Sequence, residues 1–144
     1  MLTPENFNGI GIGKLPGHLG IVITRVSESQ VDAELTVNET HMAPNGFLHA
    51  GTIITLADTC AGYGCIANLP PGATGFTTIE LKSNHLGTAL EGTIAASAKP
   101  AHLGKTTQVW DAVVTHKASG KTLALFRCTQ MILYVRAAPK SAAT

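Results

Sequence analysis

The spacing of apolar and polar residues along the chain predicts six strands and one long helix. In residues 30–37 the two kinds alternate cleanly, so Val31, Ala33, Leu35 and Val37 share one face, as expected of a half-buried strand. Similar apolar or alternating runs predict further strands at residues 20–26, 76–85, 92–99, 106–116 and 122–135.

Residues 49–68 show no such alternation. Their apolar side chains cover nearly the whole circumference of a helix, which indicates a helix covered on most sides. Pro70-Pro71-Gly72 ends it. The order of two strands, a buried helix and four strands predicts an α+β fold, in which an antiparallel sheet packs on a central helix.

The two ends of the chain carry weaker patterns. Residues 1–18 are rich in Gly, Pro and Asn, which predicts an irregular lead-in or one with a short helix. Residues 137–144 are small and polar, which predicts a disordered tail. No repeat or linker interrupts the chain, so we expect residues 1–144 to form a single domain.

Composition adds an expectation about assembly. Hydrophobic residues make up 44% of the chain and charged residues only 13%, which favours a homo-oligomer that covers apolar surface between subunits. The net charge of +1 gives no support for a nucleic-acid or membrane partner. The N-terminus lacks the pattern of a signal peptide, so a cytoplasmic location is expected.

The three cysteines, Cys60, Cys65 and Cys128, are odd in number and do not have the paired spacing of a zinc site. We therefore expect buried free thiols in a reducing compartment, and no metal.

Asp58 is the most informative residue, because it is the only formal charge between Glu39 and Glu80 and it lies within the apolar helix. A buried carboxylate costs several kcal/mol unless other groups compensate it. Such a residue is a candidate for chemistry, and the alternative is a hydrogen-bonded Asp at a subunit interface. His49-Ala50-Gly51 stands at the start of the same helix.

These residues and the order of elements resemble the hotdog-fold thioesterases, especially the PaaI-like and 4-hydroxybenzoyl-CoA thioesterase branch. That family has a His-Gly-Gly turn followed by a helix with an acidic residue nine positions after the His, and His49 and Asp58 have this spacing. The segment 99–105 is similar to the family's hairpin. The resemblance implies a sheet of about six strands wrapped round one helix, with active sites at a dimer interface and dimers that usually pair into tetramers.

The resemblance also implies roles for residues near the helix start. Asp58 would be the general base or the nucleophile, and the Ala50 N–H would stabilise the oxyanion. His49 would shape the turn and support the site. Asn45 would replace the family's amide side chain, which is missing because Ala43 occupies that position; an ordinary Asn–Gly turn is the alternative.

Further expected contacts come from the strands that follow. Strict alternation places Thr77 and Thr78 on opposite faces, and we choose Thr78 as the hydroxyl that holds the water. Thr77, together with Gly51, would contact substrate. His102 and Lys105 would bind the phosphates of coenzyme A, with a solvated turn as the alternative.

The resemblance implies an acyl-CoA thioesterase for an aryl or a short- to medium-chain acyl group. It needs no cofactor, because coenzyme A is part of the substrate. Two alternatives remain open: a hotdog hydratase or dehydratase acting on an acyl thioester, and a non-catalytic acyl-CoA-binding protein.

Overall fold

Two short helices open the chain in the computed structural model, which describes residues 1–136; the predicted disordered tail lies outside this range. They are α1 (Pro4–Gly11) and α2 (Leu15–Leu19), so the lead-in is helical rather than irregular. The Thr3 hydroxyl caps α1 by accepting the Asn6 N–H at 3.3 Å, and Pro4 occupies the first turn, where its missing N–H costs nothing.

The body of the protein is an antiparallel sheet with one long helix, α3 (Ala50–Ala67), packed on one face. The sheet order is β1-β2-β4-β5-β6-β3, which leaves β3 at one edge. This confirms the predicted α+β arrangement with six strands. The strands are β1 (Val22–Val26), β2 (Val31–Thr36), β3 (Ala73–His85), β4 (Thr93–Leu103), β5 (Thr107–His116) and β6 (Thr122–Tyr134).

Close contact between α3 and the sheet depends on glycine. Trp110 of β5 is fully buried under the helix. A Cβ atom added at Gly64 would lie 2.4 Å from the Trp110 ring, which no real side chain tolerates. The small residues of the helix therefore let it approach the sheet closely enough to enclose a large aromatic ring.

A bulge in β3 changes which side chains face the helix. Thr78 pairs with Gln130, but the register shifts before Glu80, so the next helix-facing residue is Leu81, which pairs with Cys128. Strict alternation, which would put Thr78 and Leu81 on opposite faces, is therefore wrong beyond Ile79. Thr77 pairs with Met131 and points away from the helix.

Two further observations concern the cysteine thiols and the length of the helices. All three cysteines are free and buried, as predicted. Within residues 1–136, the structure contains no helix that is both long enough and apolar enough to cross a bilayer.

Candidate active site

The loop before α3 is a tight turn. Ala43 and Gly46 close it through a 2.9 Å backbone hydrogen bond, and Gly46 has the positive φ of 85° that favours glycine. The Asn45 side chain accepts the Phe47 N–H at 3.2 Å. Its amide oxygen therefore stabilises the turn, and the side chain is otherwise exposed.

His49 caps α3 with its imidazole ring. Its Nδ1 accepts the Gly51 N–H at 2.7 Å, so the ring hydrogen of the neutral form lies on Nε2. The Gly51 N–H is thus occupied, and a Cβ at Gly51 would lie 2.8 Å from that nitrogen. Ala50, the first helical residue, has no intrahelical partner for its N–H, which remains the donor directed outward at the positive end of the helix.

Buried His41, which the sequence interpretation did not single out, holds this region in place. Its Nδ1 accepts the Asn38 N–H at 3.0 Å, and its Nε2 lies 2.7 Å from the Leu19 carbonyl oxygen. The His41 carbonyl in turn accepts the His49 N–H and the Thr52 hydroxyl. A fully hydrogen-bonded imidazole therefore fixes the start of α3.

Asp58 lies about two turns into the helix. Its Oδ1 is buried and has no hydrogen-bond partner within residues 1–136. Burial raises the pKa of this carboxyl group above the ordinary 3.8. Burial, followed by the charge of Asp58, also raises the pKa of Cys128 to about 12.

Thr78 lies level with Asp58. Phe76 packs against Gly62, where an added Cβ would be 3.0 Å from the ring, and the short connection 68–72 makes β3 run back along α3. From Gly62 back to Asp58 is about 6 Å of helix, and from Phe76 on to Thr78 is about 6.6 Å of strand. By this measure the two residues lie at the same level along the helix.

A buried glutamine lies beneath them that the sequence interpretation missed. Gln130 is fully buried, and its Oε1 accepts the Thr78 hydroxyl at 2.7 Å. Its Nε2 lies 3.4 Å from the Cys128 sulfur. The period of two in β6, which puts Gln130 on the same face as Cys128 and Ile132, was the signal that could have found it.

His102 and Lys105 lie at the opposite end of α3. Both are exposed near the β4–β5 hairpin, where Lys105, Pro70, Pro71 and Tyr134 line a shallow apolar pocket. Ala50 and Ala67 are about 25 Å apart along the helix, at 1.5 Å per residue. Within one chain, these two residues are therefore not brought to the helix start.

Arg127 forms an ion pair with Asp111. Its Nε and Nη2 lie 2.5 and 2.7 Å from the two carboxylate oxygens of Asp111, on the sheet face away from α3. This hydrogen bonding lowers the pKa of Asp111.

Comparison with known proteins identifies the family. Residues 45–123, more than half of the chain, match the family described as the thioesterase superfamily. The chain belongs to the thioesterase superfamily. It is therefore an enzyme of the thioester hydrolase class, and the hotdog resemblance inferred from His49 and Asp58 is confirmed.

Individual relatives agree with this assignment. The 1,4-dihydroxy-2-naphthoyl-CoA hydrolase of Listeria monocytogenes is 34% identical over 111 residues, which cover 77% of this chain and 89% of the relative. The protein of the same name from Escherichia coli is 30% identical over 135 residues, 92% of this chain and 96% of the relative.

Solved structures show the same fold. A thioesterase from Haemophilus influenzae superposes with a TM-score of 0.87 at 28% identity, over 95% of this chain and 94% of that one. The Escherichia coli PaaI protein, from the phenylacetic acid degradation operon, superposes with a TM-score of 0.76 at 24% identity, over 91% and 96% of the two chains. The fold is the hotdog fold.

Proposed function

We propose that this thioesterase hydrolyses an acyl-CoA thioester, with Asp58 as the general base that activates water. The observation that carries the proposal is the buried Oδ1 of Asp58, an acceptor that finds no donor within the described residues 1–136. A carboxylate whose pKa is raised by burial is a better base than an exposed one. The Thr78 hydroxyl lies at the same level and supplies a second contact for the water.

The proposed reaction balances without a metal or a cofactor. Asp58 accepts a proton from water, and the water oxygen bonds to the thioester carbonyl carbon. The oxyanion that forms accepts a hydrogen bond from an Ala50 N–H at the positive end of α3. The C–S bond then breaks, and the proton passes from Asp58 to the departing coenzyme A thiolate, which leaves a carboxylic acid and a thiol.

We infer that one site is built from two copies of the chain. Ala50 and Asp58 of one helix are about 12 Å apart along its axis, and a single carbonyl cannot contact both. With the two roles proposed above, the Ala50 N–H comes from a second copy. Edge strand β3 supports such a dimer, because it is 13 residues long and leaves Ile79 56% and Leu81 40% exposed.

The names of the relatives support an aromatic acyl group. Two relatives at least 30% identical are named as hydrolases of 1,4-dihydroxy-2-naphthoyl-CoA. We therefore favour aryl-CoA thioesters as substrates over short- and medium-chain acyl-CoA thioesters. In a composite site the thioester lies at Asp58, about 14 Å along the helix from its C-terminal end. This separation supports Lys105 as a contact for the nucleotide phosphates of an extended coenzyme A arm.

The test is release of free thiol from a panel of aryl- and alkyl-CoA thioesters by wild-type protein and Asp58→Asn. We expect turnover by the wild type and a loss of about 100-fold or more in kcat for the variant, the scale of a lost base. Hydration of an enoyl-CoA without thiol release would favour the hydratase, and binding without turnover would favour the non-catalytic protein.

Mixing two inactive variants tests the composite site. Chains carrying Ala50→Pro and Asp58→Asn are unfolded together, refolded as a mixture and assayed. If each site takes its N–H and its carboxylate from different copies, a mixed dimer has one intact site, and the mixture recovers about a quarter of wild-type activity. No recovery, with mixed dimers demonstrated by mass spectrometry, would contradict the shared site.

A further inference from the structure

Two glutamines lie under α3 on neighbouring strands, and they form different hydrogen bonds. Gln108 and Gln130 are direct cross-strand partners, and both are fully buried. Gln108 accepts the Trp110 Nε1–H at 2.9 Å and donates to the Asn68 carbonyl oxygen at 2.8 Å, so it ties the end of the helix to the sheet. Gln130 instead contacts Thr78, the strand hydroxyl level with Asp58.

The Gln130 amide lies between Cys128 and Thr78. Burial raises the pKa of Cys128 to about 12, so the group is a neutral thiol. The amide nitrogen of Gln130 faces the Cys128 sulfur at 3.4 Å and donates to it. The Gln130 oxygen faces Thr78, and the Thr78 hydroxyl is the donor in their 2.7 Å hydrogen bond.

A hydroxyl group has only one hydrogen, so this bond decides what Thr78 can do for any other group. With its hydrogen held by Gln130, the Thr78 oxygen can only accept. It cannot donate to the carboxylate of Asp58, a bond that would favour the charged form and weaken the base. It can accept one hydrogen of a water molecule whose other hydrogen points at Asp58.

We propose that Gln130 is a positioning residue, which holds the Thr78 hydroxyl as an acceptor so that Thr78 and Asp58 together orient the attacking water. The proposal rests on the hydrolysis proposed above and adds a role for a residue that does not touch the substrate. The two hydrogens of the water go to Thr78 and Asp58, and an oxygen lone pair is left to face the carbonyl carbon.

The test compares Gln130→Met with Gln108→Met, since methionine keeps the length of the side chain and removes both polar groups. We expect Gln130→Met to lower kcat about 10-fold, the scale of one hydrogen bond, with little change in KM. Gln108→Met should lower the melting temperature at least as much and leave kcat within about twofold. Equal kcat losses in the two variants would overturn the proposal.

A double-mutant cycle adds a readout that a structural role would not move. In a Thr78→Val background the hydroxyl is already gone, so Gln130→Met should cost less than about twofold further in kcat. Multiplicative losses from the two substitutions would show that Gln130 acts independently of Thr78, and the proposal would be wrong.

One measurement does not depend on turnover, so it separates this proposal from the proposed function. The Thr78 hydroxyl proton should exchange slowly enough to be observed by NMR in the wild type and not in Gln130→Met, while Gln108→Met keeps it. Rapid exchange in the wild type would overturn the positioning role even if thioesters are hydrolysed. Slow exchange in a protein that hydrolyses no thioester would leave the hydrogen bond established and the proposed function refuted.

Discussion

Replacing Ala50 by proline removes one backbone N–H from the start of α3 and changes little else. Proline is well accepted in the first turn of a helix, where its missing N–H has no helical partner. His49 has φ −65° and ψ 133°, the extended conformation that a residue before proline prefers. The Gly51 N–H keeps its bond to His49, so we expect the fold and the melting temperature to be retained.

The expected loss follows from the role of the N–H. Removing one oxyanion donor costs about 10²–10³ in kcat, or about 2.7–4 kcal/mol of transition-state stabilisation. The proline ring also fills space beside the carbonyl, so KM should rise as well. Ala50→Gly is the matched control, because it keeps the N–H and removes only a methyl group, and its kcat should stay within about threefold of wild type.

The assay is steady-state thiol release at saturating acyl-CoA, with thermal melting and light scattering on the same preparations. If Ala50→Pro keeps kcat within about threefold while its melting temperature and oligomeric state match wild type, the Ala50 N–H is not the oxyanion donor. If Ala50→Gly loses as much kcat as Ala50→Pro, the loss reflects a disturbed turn and not a missing N–H, and the oxyanion role of Ala50 is again contradicted.

Three further predictions concern Asp58, Lys105 and Gly64. Because burial raises the pKa of Asp58, kcat/KM should rise with pH in a titration step that lies above the ordinary carboxyl range. Asp58→Asn should raise the melting temperature at pH 7; this gain should shrink as pH falls below the raised folded-state pKa and be gone below the ordinary 3.8. Lys105→Ala should raise KM several-fold at low salt and less at high salt, with kcat unchanged, and an unchanged KM would make it a turn lysine. Gly64→Ala should lower the free energy of unfolding by about 1–3 kcal/mol in urea titrations, because of the Trp110 ring. Gly9→Ala in α1, with nothing within 4 Å, should not lower it.

Hydrophobic periodicity was enough to predict the central helix and the order of the six strands along the chain. The predicted helix 49–68 is observed as Ala50–Ala67. The predicted strand 92–99 continues to Leu103, because a bulge follows Pro100 and lets the strand accommodate a residue without an N–H. Pairing with β5 therefore carries the strand four residues beyond the predicted boundary.

The site was predictable where it depends on sequence spacing and not where it depends on register. The helical spacing of His49 and Asp58 put the carboxylate two turns inside a buried helix, and the buried oxygen of Asp58 agrees with that expectation. The bulge after Thr78 could not be predicted, since nothing local marks Ile79 as the extra residue. Gln130 was missed because its importance arises from a partner 52 residues away in the sequence.

Burial disfavours the charged form of Asp58, and the same burial makes the carboxylate a better base. Glycines at 62 and 64 let α3 lie close to the sheet, where Phe76 and Trp110 pack against them. That close approach removes water from one carboxylate oxygen of Asp58 and raises its pKa. An arrangement that gave this oxygen a permanent donor would stabilise the protein and weaken the base, since a hydrogen bond to the charged form lowers a pKa. In the proposed arrangement Gln130 prevents that loss, because it holds the hydrogen of the Thr78 hydroxyl.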